Sequence, residues 1–122
     1  MAKILLVDDS GLSRRILRRI LDPAGYEVVE AEDGIGALER YYLDRPDVVM
    51  LDMTMTGMHG LDVLAQLRQM DPQVSVIVAT ADIQDSSRQL AAAGGAKRFL
   101  TKPFSPQQVL DAVRAVLEVD DA

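Results

Sequence analysis

Apolar runs with no polar interruption, Ile4 to Val7, Val48 to Leu51 and Val76 to Ala79, recur along the chain with segments of helical period between them. A strand that is apolar at every position has no solvent face. It must be covered on both sides, as in a parallel sheet clothed by helices, and unlike a half-exposed antiparallel hairpin. Five β-rich runs begin near Lys3, Glu27, Val48, Ser75 and Arg98, so the pattern predicts five βα units and an α/β fold built on a parallel sheet.

The intervening segments carry helix signals. Ile16, Leu17, Ile20 and Leu21 form one face of a first helix that Pro23 and Gly25 end, with Arg14, Arg15, Arg18 and Arg19 on the other face. Asp33 can cap a second helix whose apolar face holds Ala37, Leu38, Tyr41 and Tyr42 and which stops before Pro46. Leu61, Leu64 and Leu67 mark a third, stopped by Asp71-Pro72. An alanine-rich stretch before Gly94-Gly95 suggests a loosely patterned fourth. The last has the clearest start, because Ser105, Pro106 and Gln108 compose a capping box ahead of Val109, Leu110, Val113, Val116 and Leu117.

A length of 122 residues with 48% hydrophobic content suits one compact domain, expected to span 1–122 with no attached output domain. Cysteine is absent, so disulfides and thiolate metal sites are excluded and the cytoplasm is the expected compartment. No apolar run approaches the roughly 20 residues of a membrane span, so no membrane insertion is expected. A net charge of -6 opposes direct binding to nucleic acid, which rests on cations meeting phosphates.

Polar residues close the apolar runs. Asp8-Asp9 follow Val7, Asp52 follows Leu51, Thr80 follows Ala79 and Lys102 follows Thr101. In a parallel sheet the C-terminal strand ends share one edge, so three carboxylates, a hydroxyl and an ammonium would converge there. Each like-charge pair at about 4 Å costs roughly 4 kcal/mol at an effective dielectric near 20. Either some carboxyl pKa values rise or a cation joins the cluster, and an all-oxygen donor set favours a hard ion, Mg²⁺ or Mn²⁺. Mg²⁺ keeps coordination positions open, for which phosphate oxygens are natural occupants. A carboxylate can attack phosphorus to give an aspartyl phosphate, with ammonium and hydroxyl meeting the charge on the equatorial oxygens. Lys102 and Thr80 fit those two roles.

Asp8-Asp9, Asp52, Thr80, Phe99 and Lys102-Pro103-Phe104, in this order and spacing, resemble the receiver domain of two-component response regulators, and the likeness covers nearly the whole chain. It includes the opening ILLVDDS, the loop Gly57 to Gly60 and the run GAKRFLTKPF. The resemblance implies a doubly wound (βα)5, flavodoxin-like three-layer sandwich of strand order 2-1-3-4-5, in the plan of single-domain, CheY-like receivers. It implies that Asp52 is the phosphoacceptor, served by a phosphohistidine of a histidine kinase or histidine phosphotransfer protein. It further implies that Asp9, Asp52 and the backbone carbonyl of Thr54 ligate the metal directly, that Asp8 acts largely through water, and that Lys102 pairs with phosphoryl oxygens. Thr80 and Phe99 would be the switch pair, altering a surface of fourth helix, fifth strand and fifth helix that a downstream protein effector reads. Such a protein is a signalling switch and not an enzyme acting on a metabolite; a phosphorelay intermediate or phosphate sink is the alternative within the family.

Some positions depart from the family pattern. Thr56 stands where proline is usual and His59 where an acidic residue is commoner, while Thr54 and Asp82 occupy the positions that tune dephosphorylation. Taken singly, each site residue also has an ordinary role: Asp8-Asp9 as a helix cap, Asp52 in a turn, Lys102-Pro103 ending an edge strand. Independent roles of that kind would not fall at corresponding places in successive βα units. The arginines of the first helix are most simply a solvated face or a docking site for an acidic partner. A flavodoxin-like phosphate binder would be repelled by Asp8-Asp9. An aspartyl-phosphate hydrolase of the haloacid-dehalogenase type looks for an acid where this chain has Thr54.

Overall fold

The structure, a computed structural model, describes residues 1–53, 59–81 and 85–120, with side chains for all of these but 85–88 and 119–120. Five strands alternate with five helices: β1 (Lys3–Val7), α1 (Gly11–Leu21), β2 (Glu27–Ala31), α2 (Gly34–Asp44), β3 (Val48–Asp52), α3 (Gly60–Met70), β4 (Val76–Thr80), α4 (Asp85–Ala93), β5 (Arg98–Thr101) and α5 (Pro106–Asp120). Every strand pair is parallel and the order is β2-β1-β3-β4-β5. The doubly wound expectation holds.

Strand alternation splits the core into two layers. Leu5, Val7, Val49, Leu51, Val76 and Val78 face α2, α3 and α4, meeting Ala37, Tyr41, Val63, Leu64, Leu67 and Ala91. Ile4, Leu6, Val48, Met50, Ile77 and Leu100 face α1 and α5, meeting Leu17, Leu21, Val109, Val113 and Val116. Both faces of β3 and β4 are therefore buried, which is why those runs contain no polar interruption.

Helix termini follow local chemistry. The Ser10 hydroxyl caps α1 by accepting from the Ser13 N–H, and the Asp33 carboxylate caps α2 by accepting from the Gly36 N–H. At α5 the box is reciprocal: Ser105 Oγ accepts from the Gln108 N–H and Gln108 Oε1 accepts from the Ser105 N–H. The weakly patterned α4 ends in a Schellman motif. The Ala96 N–H reaches the Ala91 carbonyl and the Gly95 N–H that of Ala92, with Gly95 at a φ of 101° that a side chain would resist.

Two residues assigned to apolar faces are exposed. Ile16 lies about 100° around α1 from Leu17, off the seam that Leu17 and Leu21 bury against the sheet. Tyr42 leaves the core to the neighbouring Tyr41 and instead lies beneath the Arg45 guanidinium, 5.9 Å from its ring centroid. The arginines of α1 do not share one role either. Arg14 and Arg18 pair with Glu30 of β2, whereas Arg15 and Arg19 face solvent. Among the described residues no helix is long and apolar enough to cross a membrane.

Candidate phosphoacceptor and metal site

Sheet register assembles the site. Val7 lies beside Leu51, so Asp8 and Asp52 leave adjoining strands together; Asp52 lies beside Ala79 and Thr80 beside Thr101, one residue before Lys102. The Lys102 N–H donates to the Thr80 carbonyl at 2.8 Å, holding the β5 exit against β4. The Lys102-Pro103 peptide is cis. Asp8, Asp52 and Thr80 are buried to within 3%, 4% and 4% exposure, an unusual depth for the two carboxylates, while Asp9 stands at the surface.

Their charges are arranged as a cluster. Carboxylate oxygens of Asp8, Asp9 and Asp52 all lie within 4.8 Å of one another. Lys102 Nζ donates to Asp8 Oδ2 at 3.2 Å and stands 3.7 Å from Asp52 Oδ1. Asp8 Oδ1 accepts from the Ser10 N–H at 2.9 Å. Burial pushes the Asp8 carboxyl above its ordinary range, and the Asp52 charge adds to this, while the Ser10 N–H and Lys102 oppose it. The protein thus carries a carboxylate it disfavours ionising, beside two others. An all-oxygen set at this spacing fits a hard divalent cation, which would relieve that repulsion.

Gly60 lets α3 start against this edge. A Cβ there would stand 2.7 Å from the Met53 Cα, so only glycine permits the helix to close on the residue following Asp52. His59 caps that helix, its Nδ1 accepting from the Leu61 N–H at 3.1 Å. On the opposite flank, Ser13, Ile16, Ala81, Lys102, Pro103 and Phe104 line an open cleft of about 390 Å³.

The fold brings Asp8, Asp9, Asp52 and Lys102 together, and places Thr80 on the neighbouring strand end. Thr80 and Phe99 project from the same sheet face, because Phe99 is paired with Val78 and side chains alternate along a strand. The expected carbonyl ligand Thr54 lies outside the described residues, as do Thr56 and Asp82. Sequence reasoning missed Ser10, Arg14 and Glu30. The Arg14 guanidinium donates to the Asp8 backbone carbonyl and to Glu30. A serine between an acidic pair and a helix was a readable cap signal; a glutamate on a half-exposed strand offered none.

A family model described as the response regulator receiver domain matches residues 4–114. The chemotaxis protein CheY of Thermotoga maritima is 39% identical over 115 residues, covering 93% of this chain and 96% of that protein. Among solved structures, the chemotaxis protein CheY4 of Vibrio cholerae superposes with a TM-score of 0.91 at 34% identity, over 95% of this chain and 98% of that one. The response regulator protein TrrA of Thermotoga maritima, solved in complex with Mg(2+)-BeF, superposes with a TM-score of 0.86 at 31% identity, over 95% and 99%. The buried acidic edge, the strand order and these likenesses agree: the chain belongs to the response regulator receiver domains of two-component signalling, with a CheY-like architecture.

Proposed function

We propose that Asp52 accepts a phosphoryl group from a phosphohistidine on a histidine kinase or phosphotransfer protein, and that the chain signals through the altered surface that follows. The observation that carries this reading is the Lys102 ammonium set between the buried Asp8 and Asp52 carboxylates, with Asp9 joining the cluster at the surface. An Asp52 oxygen forms the new bond to phosphorus as the phosphorus–nitrogen bond breaks, and the imidazole leaves with that electron pair. Lys102 moves its partnership from carboxylate to phosphoryl oxygen, and the Thr80 hydroxyl donates to another. Asp8, Asp9, Asp52 and the Thr54 carbonyl are the residues that would hold Mg²⁺ or Mn²⁺. That ion, when bound, offsets negative charge on the phosphoryl oxygens.

Thr80 and Phe99 share a sheet face, so a Thr80 side chain drawn toward Asp52 vacates space on the Phe99 side. The change is then read by a protein effector at α4, β5 and α5, a shift between two surface states.

Incubation with acetyl phosphate and Mg²⁺, followed by mass spectrometry, tests the assignment. One added, hydroxylamine-labile phosphoryl group is expected on the wild type and none on Asp52→Asn. An unmodified wild type sinks the reading, and equal modification of Asp52→Asn sinks the site.

A further inference from the structure

Arg14 occupies an unusual position for a residue in a run of surface arginines. Its Nε donates to Glu30 Oε1 at 2.9 Å, and its Nη1 donates to the backbone carbonyl of Asp8. The other Glu30 oxygen accepts from Arg18 Nε at 3.2 Å and Arg18 Nη2 at 2.9 Å, and Arg18 Nη2 also reaches the Val28 carbonyl at 3.3 Å. Glu30 therefore holds both guanidiniums, fixing α1 to β2 and setting the angle at which the Arg14 fork meets the β1–α1 turn.

That turn carries the acidic pair. The Asp8 N–H is tied to the Ala31 carbonyl at 3.2 Å, its carboxylate to the Ser10 N–H and Lys102, and its carbonyl to Arg14. The Asp8 carbonyl belongs to the same planar peptide as the Asp9 nitrogen, so a donor that fixes the carbonyl also fixes where the Asp9 Cα projects. Lys102 and Ser10 restrain the Asp8 side chain. Arg14 restrains the peptide that leads to Asp9.

We infer that Arg14, oriented by Glu30, is a positioning residue for the divalent-cation site, holding the Asp8–Asp9 peptide so that the Asp9 carboxylate meets those of Asp8 and Asp52. The inference rests on the reading of those three carboxylates as a cation site. Partners that orient ligands from outside the coordination sphere are worth about 10- to 100-fold in metal affinity. The sign distinguishes positioning from bulk electrostatics. Deleting a positive charge beside three carboxylates strengthens cation binding by Coulomb's law, whereas losing the positioning weakens it.

The test is Mg²⁺ titration of the full chain by calorimetry, with metal-free thermal unfolding to check that each variant is folded. Arg14→Met keeps the aliphatic stem and is expected to bind Mg²⁺ about 10-fold more weakly than wild type. Arg14→Lys, a single-point donor without the fork, should recover part of that loss. Arg15→Met removes the same charge from an exposed neighbour and should bind as well as wild type or slightly better. Glu30→Gln, which keeps the side-chain shape, should lose several-fold.

Unchanged or tighter binding by Arg14→Met overturns the inference, as does an equal loss in Arg15→Met. If Arg14→Met fails to fold, Arg14→Lys decides, since it keeps the charge and loses the fork, and wild-type affinity there overturns the inference. A wild type that binds no Mg²⁺ removes both this inference and the cation site beneath it. Wild-type Mg²⁺ binding that depends on Arg14, without phosphoryl uptake from acetyl phosphate, removes the phosphoacceptor reading alone.

Discussion

Asp8 is placed where burial works against its charge, and its energetics are correspondingly two-sided. Its pKa in the folded chain is raised from 3.8, chiefly by desolvation, so the unfolded chain loses this proton more readily. Stability consequently falls as pH rises through the folded value, and the penalty disappears below the unfolded one. Asp8→Asn retains an acceptor for the Ser10 N–H and removes the disfavoured charge. We expect it to melt higher than wild type without metal at neutral pH, with the gain vanishing near pH 4, while Mg²⁺ binds more weakly. Lower metal-free stability of the variant at neutral pH would show that the ion pair with Lys102 outweighs burial. Asp8, Asp52, Thr80 and Lys102 were legible in the sequence because a polar residue closing an otherwise apolar strand stands out. Arg14 and Glu30 were not, since a cation on a helix face and an acid on a half-exposed strand read as ordinary solvated charges.

At the scale of elements, helix existence was more legible than the width of each buried stripe. Periodicity marks a face, but how far that face is covered depends on neighbours that the sequence of one helix does not name. Tyr41 illustrates the difference. It enters the core between β-sheet and α3 and its hydroxyl donates to Asp71 Oδ2 at 2.7 Å, joining α2 to the end of α3. Tyr42, one position on, remains exposed. The Tyr41 hydroxyl, helped by the Gln73 N–H, holds the Asp71 carboxyl below its ordinary range. A depressed folded pKa contributes stability above the unfolded value of 3.8 and loses it as pH falls through the folded one. Tyr41→Phe should cost about 1 kcal/mol at neutral pH, with the difference from wild type shrinking in acid. Urea unfolding at two pH values checks this. A cost that stayed constant into strong acid would mean the hydroxyl acts through packing and not through Asp71.

For the whole molecule, a cation held by Asp8, Asp9 and Asp52 would link the proposed signalling chemistry to stability. A ligand that binds only the folded chain adds about 1.4 kcal/mol at ten times its dissociation constant. For a domain of this size that corresponds to a rise of roughly 5 °C in melting temperature. Scanning the wild type with and without Mg²⁺ should reveal that rise, and Asp9→Ala should abolish most of it. Identical melting curves for the wild type would mean that the three carboxylates hold no ion.

Lys102 and Asp8 meet across a sequence separation of 94 residues. Neither can find the other until β1, β3, β4 and β5 have all taken their places, because each strand registers only against its neighbour. Without β5 in place, the carboxylates that β1 and β3 bring side by side would lack the ammonium that the folded chain sets between them. Docking of β5 sets the Lys102 ammonium against carboxylates carried by two other strands and so offsets their repulsion. Under the proposed function, competence to take up a phosphoryl group would therefore depend on β5 being docked, because the ammonium arrives only with that strand.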